Sequence, residues 1–167
     1  MKQFFSSFGR GVLILLVIGG VLLYMTASDM IVSLKPAVSF EDMLNGKEIK
    51  AGSRVAGNVV YALDYFASES TYTKYSDGSR SGDRKSGNYY LIPAANEGFV
   101  GLKSREVDVS ALNKLSEETY DYMMNGTEPA TEIFMEGTVE VMTGQLAGYF
   151  TSYLEEMGYT QAEIDAM

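Results

Sequence analysis

Glu132, Glu136 and Glu140 are the residues of this chain best spaced for acid–base chemistry, with Glu117, Glu118 and Asp121 shortly before them. Two carboxylates facing each other across a cleft hydrolyse glycosides, one as acid and the other as base or nucleophile. Here the three glutamates recur as side chains do on the solvent side of a strand, and the chain has no Trp to stack a sugar. A basic set lies earlier. Lys74, Arg80, Arg84 and Lys85 are interleaved with Tyr72, Tyr75, Tyr89 and Tyr90. Cations among aromatic rings bind single-stranded nucleic acid, but outside a cell an acidic glycan or lipid headgroup is the better-placed ligand. Within this set, Asp77-Gly-Ser-Arg-Ser-Gly-Asp83 spaces oxygen-bearing residues as a calcium loop does. Its twelfth position is Asn88, where calcium needs a bidentate Glu, and Arg80, Arg84 and Lys85 repel a cation. No metal is expected there.

Other chemistry is excluded by composition. The chain has no His and no Cys. No Ser–His or Cys–His nucleophile, thiolate metal site or disulfide is available. No catalytic residue and no cofactor is assigned. The charge is lopsided: Leu115 to Met167 holds 11 Asp and Glu with no Lys or Arg, against a net charge of −9 for the whole chain. Such a segment repels nucleic acid and anionic lipid. It serves as a solvated surface or as a docking face for a cationic partner, with Glu132, Glu136 and Glu140 as its regular row. Asn125-Gly-Thr127 matches a glycosylation acceptor, which matters only in a eukaryotic source.

The element that places everything else is Gly11 to Ala27, 17 consecutive residues without a charge. As a helix they span roughly 26 Å, close to a hydrocarbon core of ~30 Å. Arg10 and Tyr24 suit the two interfaces. Lys2 and Arg10 precede the run and Asp29 follows it, so the positive-inside rule puts the N-terminus in the cytoplasm. The expectation is a single-pass, uncleaved signal-anchor in the cell membrane over 11–27. A cleaved signal peptide is the alternative, but Met25 is bulky three residues before a cut after Ala27. Gly19-Gly20 permits close helix contact without supplying a small-xxx-small motif.

The remainder reads as one α+β unit. Ser39 to Gly46 is a short capped helix. Ser53 to Phe66 alternates as a long strand, with Gly57 as its bulge or corner. Ser68 to Gly87 is a hairpin arm turning at Asp77-Gly78. Gly87 to Ala95 returns, with Pro93 placing its end on an edge or at a bulge. Asn96-Glu97-Gly98 turns, and Phe99 to Arg105 is the next strand. Asp108 to Asn125 is an amphipathic helix with Leu112, Leu115, Thr119, Tyr122 and Met123 on one face. Thr131 to Met142 is a strand with Ile133, Met135, Gly137, Val139 and Val141 inward. Thr143 to Met157 is a second helix, and Thr160 with Glu163 forms a capping box for a last turn.

A helix between the third and fourth strands of a small twisted sheet is the plan of an OB-fold barrel, whose fifth strand is missing here. The expected fold is therefore an N-terminal transmembrane helix, then a small antiparallel, OB-like, partly open barrel with two or three packed helices. Ile164 to Met167 lies inside an amphipathic pattern with no stop signal. That leaves room for a chain cut short before a fifth strand or a second membrane helix.

Gly52-Ser-Arg-Val-Ala-Gly-Asn-Val-Val-Tyr61, Tyr89-Tyr-Leu-Ile-Pro93 and Phe99-Val-Gly-Leu-Lys103 resemble a family of uncharacterised Gram-positive bacterial membrane proteins. The resemblance implies an OB-like extracytoplasmic domain beside one or two membrane helices, and no activity. Residues 1–34 are then a cytoplasmic stub and anchor, and 35–167 an extracytoplasmic domain. The expected function is non-enzymatic binding or scaffolding of another membrane or envelope protein, without nucleic acid. Lys74, Arg80, Arg84, Lys85, Tyr72 and Tyr75 would form an anion site. The alternative is a carboxylate-dependent hydrolase acting on cell-envelope glycans.

Overall fold

The structure, a computed structural model, describes residues 36–95 and 98–166. The expected anchor over 11–27 and most of the turn at Asn96-Glu97 lie outside them. Among the described residues no helix is long and apolar enough to cross a membrane.

The chain starts with β1 (Val38–Ser39) and α1 (Phe40–Leu44), where the Ser39 hydroxyl caps the Asp42 N–H at 3.4 Å. Then come β2 (Arg54–Val59), β3 (Tyr65–Thr71), β4 (Arg84–Pro93) and β5 (Phe99–Lys103). A 3-10 turn leads into α2 (Val109–Asn125), closed by Gly126 at φ 72°. β6 (Ile133–Thr138), α3 (Gly144–Glu156) and α4 (Gln161–Ile164) complete it. The Thr160–Glu163 capping box is present, with both of its reciprocal bonds.

The fold is α+β, as expected, and the described strands form no closed barrel. The strands form two three-stranded sheets, ordered β1-β2-β6 and β3-β4-β5. β1 runs parallel to β2, and every other pair is antiparallel. The long strand over 53–66 is in fact two, β2 and β3, one in each sheet. Its corner falls at residues 60–64, not at Gly57. Gly57 stays in the β2 ladder opposite Met135 because Phe40 packs on it: a Cβ there would lie 2.8 Å from Phe40 Cβ. Pro93 likewise ends a central strand, opposite Phe99, rather than an edge one.

Two apolar clusters share β4. Tyr90 and Ile92 face Phe40, Val55, Val59, Leu112 and Leu115, while Leu91 faces Leu63 on β3's approach and Leu154 on α3. Tyr90, Leu91 and Ile92 all have zero exposure. A strand buried on both faces reads as a continuous apolar run. The Tyr90 hydroxyl donates to Asn113 Oδ1 and accepts from Asn88 Nδ2, so its burial leaves no polar atom unmatched. The β6 alternation holds for Ile133, Met135 and Val139. It fails at Gly137, which is exposed, and at Val141, 72% exposed. Gly137 is still paired, opposite Val55, but at Val141 the partner strand has run out: beyond Val139, held by Ser53 and Gly52, the chain leaves β2 and crosses towards α3.

Glu118 of α2 sets where β6 begins. Its carboxylate accepts from the N–H groups of Ala130 (2.9 Å) and Thr131 (2.8 Å) and from the Thr131 hydroxyl. The Thr131 backbone bond is the chief cause holding this carboxyl below the ordinary value of 4.5. A group favoured in its ionised form stabilises fully above its unfolded pKa and loses that effect as the pH falls through the folded value. Exchange protection at the Ala130 and Thr131 amides, corrected for intrinsic pH dependence, should therefore fall in acid before that of Leu91 does. Coincident loss at all three would show that Glu118 does not pin this loop separately.

Candidate functional site

Among the described residues β5 and β6 each lie at an unpaired edge of their sheets, and a groove of about 650 Å³ runs between them. Its floor is the inner cluster: Phe40, Met43, Val55, Leu102, Met135 and Val139. Met142 and Leu146 cover it at the crossing into α3. The size falls within the roughly 300–1,000 Å³ of ligand-binding clefts.

The walls are made of backbone. Val139 donates its N–H to Ser53 O (2.9 Å) and accepts from Gly52 N–H (2.8 Å). In an antiparallel ladder the polar groups of successive residues alternate in direction. Those of Phe134, Glu136 and Thr138 therefore turn away from β2, towards the groove. Ser104 donates its N–H to Asn88 O at 2.8 Å, which by the same alternation turns Gly101 and Lys103 to the opposite wall. Along the β6 wall the side chains of Glu132, Phe134, Glu136 and Glu140 face solvent, Phe134 with 66% exposure. Glu136 pairs with Arg54 Nε at 2.7 Å, and Glu132 accepts from Asn58 Nδ2 at 3.3 Å. Across the groove Lys103 is paired with Glu69 at 2.9 Å and lies over the Tyr89 ring.

The basic residues are carried by the β3–β4 arm. Lys74 and Arg80 form a backbone bridge below the Asp77-Gly78 turn. The Arg80 guanidinium lies 5.0 Å from the Tyr72 ring centroid, with its charge 3.9 Å from Asp83. Lys85 lies 5.2 Å from the Tyr65 ring. Tyr72 and Tyr75 are exposed at the tip, but Tyr90 is in the core and Tyr89 is half-buried against Phe66. Of the interleaved tyrosines only the first two belong to this surface. Asp77 accepts from the N–H and hydroxyl of Ser79, which hold its carboxyl below the usual range, so the loop satisfies its own oxygen. Among the described residues no group of three or more acidic residues could hold a metal ion.

Glu118 does not stand across a cleft from the β6 row, since its carboxylate is engaged with the loop before β6. Sequence reasoning missed the groove. The one signal for it was a strand count short of a closed barrel.

No curated protein and no solved structure matches the chain. A protein-family profile described as a domain of unknown function matches residues 1–167. That agrees with the resemblance to a family without an assigned activity.

Proposed function

The chain belongs to this family, Domain of unknown function (DUF8577), and from that premise we propose that it is a membrane-anchored binding domain whose recognition surface is the β5–β6 groove. The observation that carries this is the groove itself, an apolar floor between two strand edges. Edges left open in this way are sites of pairing with another chain. The uncharged run 11–27 supplies the anchor, with the N-terminus cytoplasmic and the folded domain outside the membrane of a Gram-positive bacterium. The strand plan supports an OB-like barrel left open where its fifth strand would lie. The domain scaffolds a membrane or envelope complex rather than catalysing a reaction. The arm with Lys74, Arg80, Arg84 and Lys85 is a second, anion-facing surface.

A photoreactive benzophenone side chain at Thr138 tests the groove, and the same group at Tyr75 tests the arm. Irradiation in native membranes should give discrete adducts at Thr138. Adducts confined to Tyr75 would move recognition to the arm, and none at either position would defeat the reading. Orientation is checked with Glu117→Cys. The chain has no other Cys, so a membrane-impermeant maleimide should label intact cells at this position alone. Labelling only after lysis would place the domain on the wrong side.

A further inference from the structure

We propose that the groove accepts one extended strand of a partner polypeptide, five or six residues long, in which apolar residues alternate with Lys or Arg. This rests on the groove being the recognition surface, and goes on to name its occupant.

The backbone carries the first half. Phe134, Glu136 and Thr138 on one wall, and Gly101 and Lys103 on the other, turn N–H and C=O groups that pair with no described strand towards whatever lies between. Such rows pair with an extended chain, as sheet-edge peptide recognition does. The walls are six and five residues long, which sets the length of the strand.

Side chains carry the second half. Successive residues of a strand point to opposite faces. Those turned inward meet Met43, Leu102, Met135 and Val139, an apolar floor with no ion pair to offer. Those turned outward stand beside Glu132 and Glu140, while Glu136 is already paired with Arg54. Opposite charges across neighbouring strands attract, and like charges repel. The β5 wall does not cancel this preference, because Gly101 has no side chain and Lys103 is already paired with Glu69.

A second copy of the chain fits poorly. Antiparallel pairing of β6 with another β6 would set two glutamate rows side by side. The acidic C-terminal third offers no better strand, having no Lys or Arg from Leu115 onward. A partner of different sequence is the occupant that the charges select.

The test uses the full chain in detergent micelles and three peptides: Lys-Val-Lys-Val-Lys-Val, its block isomer Lys-Lys-Lys-Val-Val-Val, and Glu-Val-Glu-Val-Glu-Val. Fluorescence anisotropy reads affinity, and amide exchange reads where the peptide lies. The alternating basic peptide should bind at least tenfold tighter than either control. It should slow exchange tenfold or more at Phe134, Glu136 and Thr138, and Glu140→Lys should weaken it. Equal affinity for the block isomer would mean charge attraction alone and overturn the proposal. So would binding without slowed exchange at these amides. Amides already protected in the free chain would mean that another segment of this protein fills the slot, which also overturns it. Adducts at Thr138 combined with a flat peptide preference would leave the groove as a binding surface and remove only the strand.

Discussion

Gly87→Ala is expected to be the most damaging single-atom change in the domain. Gly87 sits in β4, and a Cβ on it would lie 2.0 Å from the carbonyl oxygen of Ser104 and 3.0 Å from its carbonyl carbon. Backbone atoms cannot rotate away as a side chain can. Ser104 is also tied in place: its N–H donates to Asn88 O, and the Asn88 N–H donates to Ser104 Oγ at 3.0 Å. Relieving the clash means pulling the end of β5 off β4 and leaving buried polar groups unpaired. Overpacking and lost buried hydrogen bonds each cost about 1–3 kcal/mol, so a loss of ~3 kcal/mol or more is expected. That corresponds to a fall in melting temperature of roughly 10 °C. Gly82, where an added Cβ meets nothing within 4 Å, is the control. If Gly87→Ala melts with Gly82→Ala, the close approach of β4 to Ser104 does not exist in solution.

Leu154→Ala should remove a comparable amount of stability by a different route. Leu154 has zero exposure and packs with Leu63 and Leu91. Around it Phe150 meets Phe66 edge to face at 5.3 Å, and Phe99 meets Tyr159 at 5.6 Å. Truncating a buried leucine costs about 2–5 kcal/mol, more where the surroundings cannot collapse. Here the outer cluster docks α3 and α4 on the second sheet, so their contact should loosen first. Tyr153 reports on this, because burial pushes its phenol up to about 12. In the variant its alkaline titration should move towards the ordinary value of 10. An unchanged Tyr153 titration with lowered global stability would show the helices still docked.

Helix ends were legible because they depend on local chemistry. Gly126 takes up the left-handed conformation that stops α2, and Thr160 with Glu163 closes its box without help from the rest of the fold. The corner at 60–64 was not legible. Ala62 is buried in one cluster and Leu63 in the other, so side chains stay patterned through a bend that period two cannot register. Tyr90 is interleaved with the cations along the sequence, yet its ring lies in the core. The adjoining Leu91 and Ile92 were the better signal, since three apolar residues in a row mark a strand covered on both faces. The glutamate row faced solvent as its spacing required. The groove is another matter, because its walls are backbone edges. Every sequence carries those groups, and only the pairing of strands decides which are left open.

The corner between β2 and β3 also fixes an order of events during synthesis. The second sheet is a meander complete by Lys103, built from neighbours along the chain. The first sheet needs β2 to find β6, and Arg54 and Glu136 are 82 residues apart. Local contacts form sooner than those that must close a long loop. A chain made from its N-terminus has one finished sheet while β2 holds only the two-residue β1. During that interval β2 lacks its antiparallel neighbour, and a chaperone or protease working on the nascent chain meets it in that state.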